Sequence, residues 1–462
     1  MPSGGRWPDH AQKWVAVGDG PRIASTASAL TVSALPSRLA STKDVRESPA
    51  FLVPLRHSRF RRVWFGQALS STGNGVFTVA LAASVLGAHR TADLGYVVAA
   101  DGAGLVAVSL LGGVLADRFR RSRMMIGADA LRFGATVGFG LGAAAAPLPL
   151  AVVLAALMGV GLGLFQPAYG ALVPSVVPQE GLAGANALVS ITNRFALVAG
   201  PAVGGLILTF AGPGPAFWLD AGSFGVSMLM LLGLGDARPE RQAGGNVLTE
   251  AKAGLALVRE RRWVLTIILQ GTLQLLLVMS PALVLLPILL QERGLLAYYG
   301  LMTGLQAVGA ILGGMLIASW KPRLPGAVAV SALALLGLQL VALALELPLF
   351  VLGAAMVATG AGYAVFGVLW YTALQKSIPE ELRGRVMSVD MLGTFGLAPV
   401  GLALAPLALG AWGERRVLLA ATVVLAASTI VPLLRRDVRT FDERGPGPVP
   451  LGHRPAEPVN AE

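Results

Sequence analysis

The sequence predicts an all-α membrane protein of twelve spanning helices arranged as two six-helix halves. Three observations carry that prediction. Twelve apolar segments of 18 residues or more follow one another from Val63 to Leu434, and at 1.5 Å rise per residue such lengths match a hydrocarbon core of about 30 Å. Mean hydropathy is +0.68, with 55% hydrophobic and only 13% charged residues, far below the rough quarter of charged residues in soluble domains. The net charge of +11 is concentrated in every second loop between the apolar segments, as expected when basic loops stay on one side of a bilayer.

In chain order the segments are Val63 to Leu86, Leu94 to Ala116, Met124 to Ala146, Leu148 to Val173, Leu188 to Phe210 and Ala216 to Leu234. The second series is Trp263 to Leu290, Leu295 to Ser319, Ala327 to Leu345, Leu349 to Thr372, Met387 to Leu409 and Val417 to Leu434. Between the second and third stands the densest charge burst, Gly112-Gly113-Val114-Leu115-Ala116-Asp117-Arg118-Phe119-Arg120-Arg121-Ser122-Arg123. Small residues followed by an acid and a cluster of arginines suit a tight hairpin between two packed helices. Five tryptophans, Trp64, Trp218, Trp263, Trp320 and Trp412, fall at or just beyond segment ends, where an amphipathic ring prefers the headgroup region.

With the N-terminus inside, the cytoplasmic segments hold 22 basic residues and the outer loops four, Arg90, Arg293, Arg415 and Arg416. Both termini are therefore expected in the cytoplasm of a cell carrying this multi-pass protein in its plasma membrane. The expected organisation is a disordered tail over 1–57, an N-terminal half over 58–235 and a central charged loop over 236–262. A C-terminal half over 263–436 and a disordered tail over 437–462 complete it. The chain contains no cysteine, so thiolate metal sites are excluded. Its four histidines lie outside the apolar segments, so neither a metal nor another cofactor is expected. Basic loops beside a membrane account for the charge without nucleic acid.

Leu172 to Gly184, before the fifth segment, resembles Leu374 to Gly384, before the eleventh; in both a proline leads into acids at the start of a helix. Equivalent segments at equivalent places in two sets of six indicate a structural repeat. Gly113-x-Leu115-Ala116-Asp117-Arg118-x-x-Arg121 resembles the signature after the second helix of the major facilitator superfamily. Gly200-Pro201-x-x-Gly204-Gly205 resembles the fifth-helix motif of its drug:proton antiporters. Phe165-Gln166-Pro167-Ala168, Pro178-x-Glu180, Ala185-Asn186-Ala187 and Pro379 to Val386 resemble the branch with macrolide-efflux and enterobactin-export proteins. The resemblance spans about Ser58 to Arg436 and implies halves around a central cleft.

That resemblance implies an exporter of an amphipathic drug, siderophore or secondary metabolite, working as a monomer by proton antiport with alternating access. It also implies that Asp117 latches onto the start of the eleventh helix near Glu381 to Arg385, with Gly113, Arg118 and Arg121 beside it, and that Gly200, Pro201, Gly204 and Gly205 pack the fifth helix on the eighth. The sequence departs from the pattern at several places. Position 120 is arginine where glycine is usual, Ala187 and Ala196 replace glycines of the fifth-helix motif, and the fourth segment has no arginine. An uncoupled facilitator or lipid-like flippase is therefore the alternative, and a non-transporting scaffold or sensor a remote one. No Gly-x-x-x-x-Gly-Lys-Ser/Thr loop is present, so ATP hydrolysis, and enzymatic activity generally, is not expected.

Charges inside the apolar segments are the candidates for chemistry, because each costs roughly 2.5–3.5 kcal/mol at mid-bilayer unless paired. Asp129 and Arg132, three apart on one helix face, could neutralise each other. Asp101 has no cation near it in sequence and is the candidate proton carrier. Asp220 is expected near the surface. Candidate cavity residues are Gln67 and Asn74 on the first helix, Gln270 and Gln274 on the seventh and Tyr363 on the tenth. The resemblance implies that helices 1, 4, 7 and 10 line the cleft, so Asn74, Gln274 and Tyr363 are the expected ligand contacts.

Overall fold

The computed structural model describes residues 50–116, 119–142, 147–236 and 255–441. The described residues are helical, without a strand. The N-terminal half contains α1 (Ser58–Ala88), α2 (Thr91–Ala116), α3 (Arg121–Gly140), α4 (Leu148–Leu172), α5 (Leu182–Ala211) and α6 (Gly214–Leu231). The C-terminal half contains α7 (Arg262–Glu292), α8 (Tyr299–Ser319), α9 (Pro325–Ala344), α10 (Leu349–Ser377), α11 (Glu380–Phe395 continued by Ala398–Trp412) and α12 (Glu414–Leu433).

Among the described residues ten helices are long and apolar enough to cross a membrane, two fewer than the twelve expected segments. The two that fall short are α3 and α6, which correspond to the third and sixth segments and carry Asp129, Arg132 and Asp220. Charge within the helices, rather than a missing helix, lowers their hydropathy: Arg121 and Arg123 at the start of α3 add to the buried Asp129, Arg132 and Asp220. Three helices of the C-terminal half are interrupted: α7 by a π turn over Leu275–Met279, α9 between Leu333 and Leu336, and α11 between Phe395 and Ala398. Gly212 and Gly413, with φ of +75° and +76°, end α5 and α11, and these equivalent corners require a backbone that other residues resist.

Small residues let the helices cross closely. Within the halves, Gly104, Gly159 and Gly163 bring α2 onto α4, as Gly309, Gly313 and Gly360 bring α8 onto α10. Between the halves, Gly95 of α2 packs on Pro406 of α11, and Gly300 of α8 packs on Pro201 and Gly205 of α5. The offset from Gly95 to Gly300 equals that from Pro201 to Pro406, so the two crossings are one design used twice. They belong to an apolar core, including Val79, Leu86, Leu285, Leu289 and Leu402, that joins both halves at the end opposite the arginine-rich loops. There Gln291 donates across to the Leu86 carbonyl at 2.9 Å.

Three expectations need correction. The segment next to α1 is not disordered throughout: Ala50–Arg56 forms a short 3-10 helix against α5. Beyond α12, Arg436–Thr440 is helical and seats Val438 and Phe441, 0% and 1% exposed, in an apolar cluster. Burial of Val438 and Phe441 orders the second piece, while Leu55, partly buried against the cluster of Phe60 and Val173, anchors the first. Finally, Trp263 is not an interfacial ring, because it is buried against Trp370 and Phe441, whereas Trp218, Trp320 and Trp412 are exposed.

Candidate functional site

Asp129 and Arg132 share one face of α3 and pair at 3.5 Å, with residue exposures of 0% and 2%. Neighbouring helices complete this site. From α6, Ser227 donates to Asp129 Oδ2 at 2.6 Å. From α1, the Asn74 side-chain oxygen accepts a hydrogen bond from an Arg132 Nη2. The guanidinium carbon stands 4.1 Å from the centre of the Phe224 ring and 5.9 Å from that of Phe165. A desolvated guanidinium between aromatic faces gains cation–π attraction that water would otherwise screen.

Two further acids join the group. Asp220, on α6, is fully buried rather than near the surface, because it lies two turns inside that helix and faces Gly73 of α1. It accepts hydrogen bonds from Thr136 and Ser223, each at 3.4 Å. Asp101, on α2, lies within electrostatic reach of Arg132, so its cation comes from another helix. Three carboxylates thus surround one guanidinium in an apolar interior. Full ionisation would leave two negative charges without a cation, an expensive state in a medium that solvates ions poorly.

A cavity of about 170 Å³ opens beside this cluster, with Asn74, Asp101 and Arg132 in its polar wall. Phe77, Leu81, Leu94, Met158 and Leu162 form its apolar wall in the N-terminal half, while Leu283, Val284 and Pro287 of α7 and Tyr299 of α8 close it from the other half. Ligand pockets for drug-sized molecules measure about 300–1,000 Å³, so this conformation is too tight for a bulky ligand. Separating the halves would enlarge it, because both contribute walls.

The other sequence candidates scatter. Gln67 donates to Ser71 at 2.9 Å along its own helix. Gln274 bonds Ser428 at 3.0 Å and Thr429 at 3.4 Å, joining α7 to α12 rather than facing the cavity. Gln270 is buried with both amide atoms unpaired, and Tyr363 packs on the apolar core; neither is in the cavity wall. The Arg121 guanidinium donates to the Ala171 carbonyl at 2.9 Å, at the end of α4. Gly200 meets Gly75 and Gly204 meets Val76 of α1, while Gly205 and Pro201 meet Gly300 of α8. Asp117 and Arg118 lie outside the described residues, as do the side chains of 110–116 around Gly113 and that of Glu381.

Sequence reasoning passed over Thr136, Ser223 and Ser227 and misjudged Asp220. Their signal was present: Asp220, Ser223 and Ser227 recur at i, i+3 and i+7 on an otherwise apolar helix, a polar stripe with one face.

Comparison with known proteins follows the same lines. The family described as transmembrane secretion effector matches residues 49–459. The enterobactin exporter EntS of Escherichia coli O1:K1 is 29% identical over 374 residues, which cover 76% of this chain and 87% of that protein. Among solved structures, a mutant of the nucleoside transporter NupG superposes with a TM-score of 0.70 at 12% identity, over 81% of this chain and 99% of that one. A D-xylose-proton symporter gives 0.63 at 16% identity, over 86% and 100%. At those identities the structures attest the fold.

Proposed function

The chain belongs to the transmembrane secretion effector family of the major facilitator superfamily, and on that premise we propose that it exports a bulky amphipathic small molecule in exchange for protons. The substrate is a siderophore, secondary metabolite or drug; the name of the enterobactin exporter among its relatives favours the first. One observation carries the coupling: Asp101 and Arg132 stand together in the cavity wall, backed by Asp129 and Asp220. Three acids against one cation make a proton-holding site, and Asp101 is its member in contact with the cavity. A proton on an Asp101 carboxylate oxygen neutralises it when the cavity is empty; substrate entry and proton release then alternate.

Access to the cavity changes by rocking of the halves, 58–235 against 263–436, about the α2–α11 and α5–α8 crossings. Asp117 acts as a latch between them. Both termini face the cytoplasm, so a cysteine replacing Arg120 should react with an impermeant reagent only from that side; labelling on intact cells would reverse the orientation.

The deciding experiment is accumulation of enterobactin in inside-out vesicles energised with an acid interior. The wild-type protein should accumulate substrate, and collapse of the gradient should abolish accumulation. Uptake that ignores the gradient would instead identify an uncoupled facilitator or flippase, the reading supported by the mostly apolar cavity and the arginine-free α4. Asp101→Asn should retain substrate exchange and normal yield but lose uphill transport. A variant with normal yield and intact uphill transport would leave Asp101 without a role in coupling.

A further inference from the structure

A second cavity, of about 330 Å³, opens on the outer surface of the N-terminal half, at its arginine-rich end. Its walls are Arg61, Arg62, Trp64 and Phe65 of α1, Leu55 of the segment before it and Met230 near the end of α6. We propose that this groove binds a phospholipid with an anionic headgroup, its phosphate on the two arginines and an acyl chain along the α1–α6 surface.

The arginines are held in place. Arg61 donates to the Leu55 carbonyl at 3.2 Å, and Arg62 to the Leu232 carbonyl at 2.5 Å. Among the described residues neither guanidinium forms an ion pair with a carboxylate, so two adjacent cations keep donors for a phosphate, which guanidinium geometry suits. Trp64 is fixed by donating to Thr192 at 2.9 Å. Below the arginines the surface turns apolar: Phe65 is 51% exposed, Leu69 one turn further along α1 is 36% exposed, and Leu229 and Leu232 on the α6 side are exposed as well.

The depth is right for a headgroup. The 31 residues of α1 span roughly 46 Å, well beyond a hydrocarbon core of about 30 Å, so its first turns stand at the level of lipid phosphates. Inorganic phosphate would use only the arginines. The apolar wall directly beneath them adds affinity only for a molecule that also carries hydrocarbon, because burial of each methylene is favourable, which selects the lipid over the free anion. Such a lipid would bridge α1, Ala50–Arg56 and α6.

The test uses the full chain in detergent, titrated with phosphatidylglycerol, phosphatidylcholine or inorganic phosphate and read by native mass spectrometry and thermal unfolding. Phosphatidylglycerol should give retained one-lipid adducts and a raised unfolding temperature, phosphatidylcholine far weaker binding, and phosphate no shift. The double variant Arg61→Gln, Arg62→Gln should bind phosphatidylglycerol roughly tenfold or more weakly, while the same change at Arg415 and Arg416 should leave binding unaltered. Met230→Trp, which fills the groove and keeps both arginines, should also lose the adduct, and it decides the matter if the double variant does not fold. Equal retention of both lipids, a shift with phosphate alone, or unchanged binding in Met230→Trp would overturn the assignment.

Discussion

In the N-terminal half Arg132 is 2% exposed and lies among Asp101, Asp129 and Asp220, whereas the ion pairs described in the C-terminal half stand at the ends of the bundle, partly in solvent. These are Arg293 with Glu414 at 3.4 Å and Arg435 with Asp437 at 2.6 Å. The halves share a scaffold down to single residues, since the offset relating their glycine–proline crossings also places Gln306 of α8 where α2 has Asp101. Inside the C-terminal half polar groups form neutral bridges, such as Gln274 with Ser428. The buried Asp390 accepts hydrogen bonds from Trp370 and Thr394 rather than pairing with a described cation. One repeat therefore concentrates ionic chemistry at membrane depth, and the other closes the cavity with apolar side chains. An asymmetric division of this kind lets the buried charges and the apolar wall facing them vary separately.

The strongest way to test that contrast is to remove its central cation. Arg132→Ala would leave Asp101, Asp129 and Asp220 buried without the guanidinium. Stranding partners of a buried ion pair typically costs about 3–5 kcal/mol, a large share of the 5–15 kcal/mol that holds a typical domain together. Membrane yield and the unfolding temperature should fall sharply, whereas Arg293→Ala, at a partly exposed pair, should change stability by about 1 kcal/mol or less. Comparable yields and unfolding temperatures for the two variants would remove the distinction between the halves.

Much of this arrangement was legible in the chain. The Asp129–Arg132 pair follows from a three-residue spacing on a helix, and the helical segments follow from the length of their apolar runs. The orientation of side chains about each helix was not legible. Where a helix is apolar on every side, its rotational phase is set by neighbours and leaves no periodic signal, so Gln274 could turn to α12 instead of the cavity and Gln270 into the interior of its own half. Asp220 was misplaced for a related reason: distance from a segment end measures depth, but the Gly73 surface of α1 that receives it belongs to another helix. Of the helix breaks, that in α11 was signalled by Gly396 within it and Pro399 just after it, whereas the turns at Leu275–Met279 in α7 and Ala334–Leu335 in α9 contain neither proline nor glycine.

A smaller effect tests the equivalence of the crossings. A Cβ on Gly300 would come within 2.2 Å of the Pro201 carbonyl oxygen, and one on Gly95 within 2.1 Å of Pro406 Cγ. Gly300→Val and Gly95→Val should each destabilise the protein by about 1–3 kcal/mol through overpacking, lowering the unfolding temperature by similar amounts. Gly87→Ala, with nothing within 4 Å of its Cβ position, sets the baseline. If only one crossing is sensitive, the repeat is one of sequence position without shared mechanics.

The smallest effect belongs to the end of the C-terminal half. Hydrogen bonding from Arg435, foremost, holds the Asp437 carboxyl below its ordinary value, while the same arginine reaches Thr266 of α7 at 3.1 Å. A carboxylate with a depressed folded-state value contributes stability that is fully present above its unfolded value, near 3.9, and is lost as pH falls through the lower folded value. Both side chains are about a third exposed or more, so solvent screening limits the pair to about 0–1 kcal/mol. Asp437→Asn should therefore leave global unfolding almost unchanged and act locally, loosening Arg436–Thr440 and the seat of Phe441 between Trp263 and Trp370. Hydrogen exchange of 436–441 should be modestly faster in the variant at neutral pH, and the difference should vanish in strong acid, where the wild-type carboxylate is also protonated. A difference that persists there would mean that the side-chain amide perturbs packing rather than removing a charge, and that even the rim of this half depends on shape more than on ionic attraction.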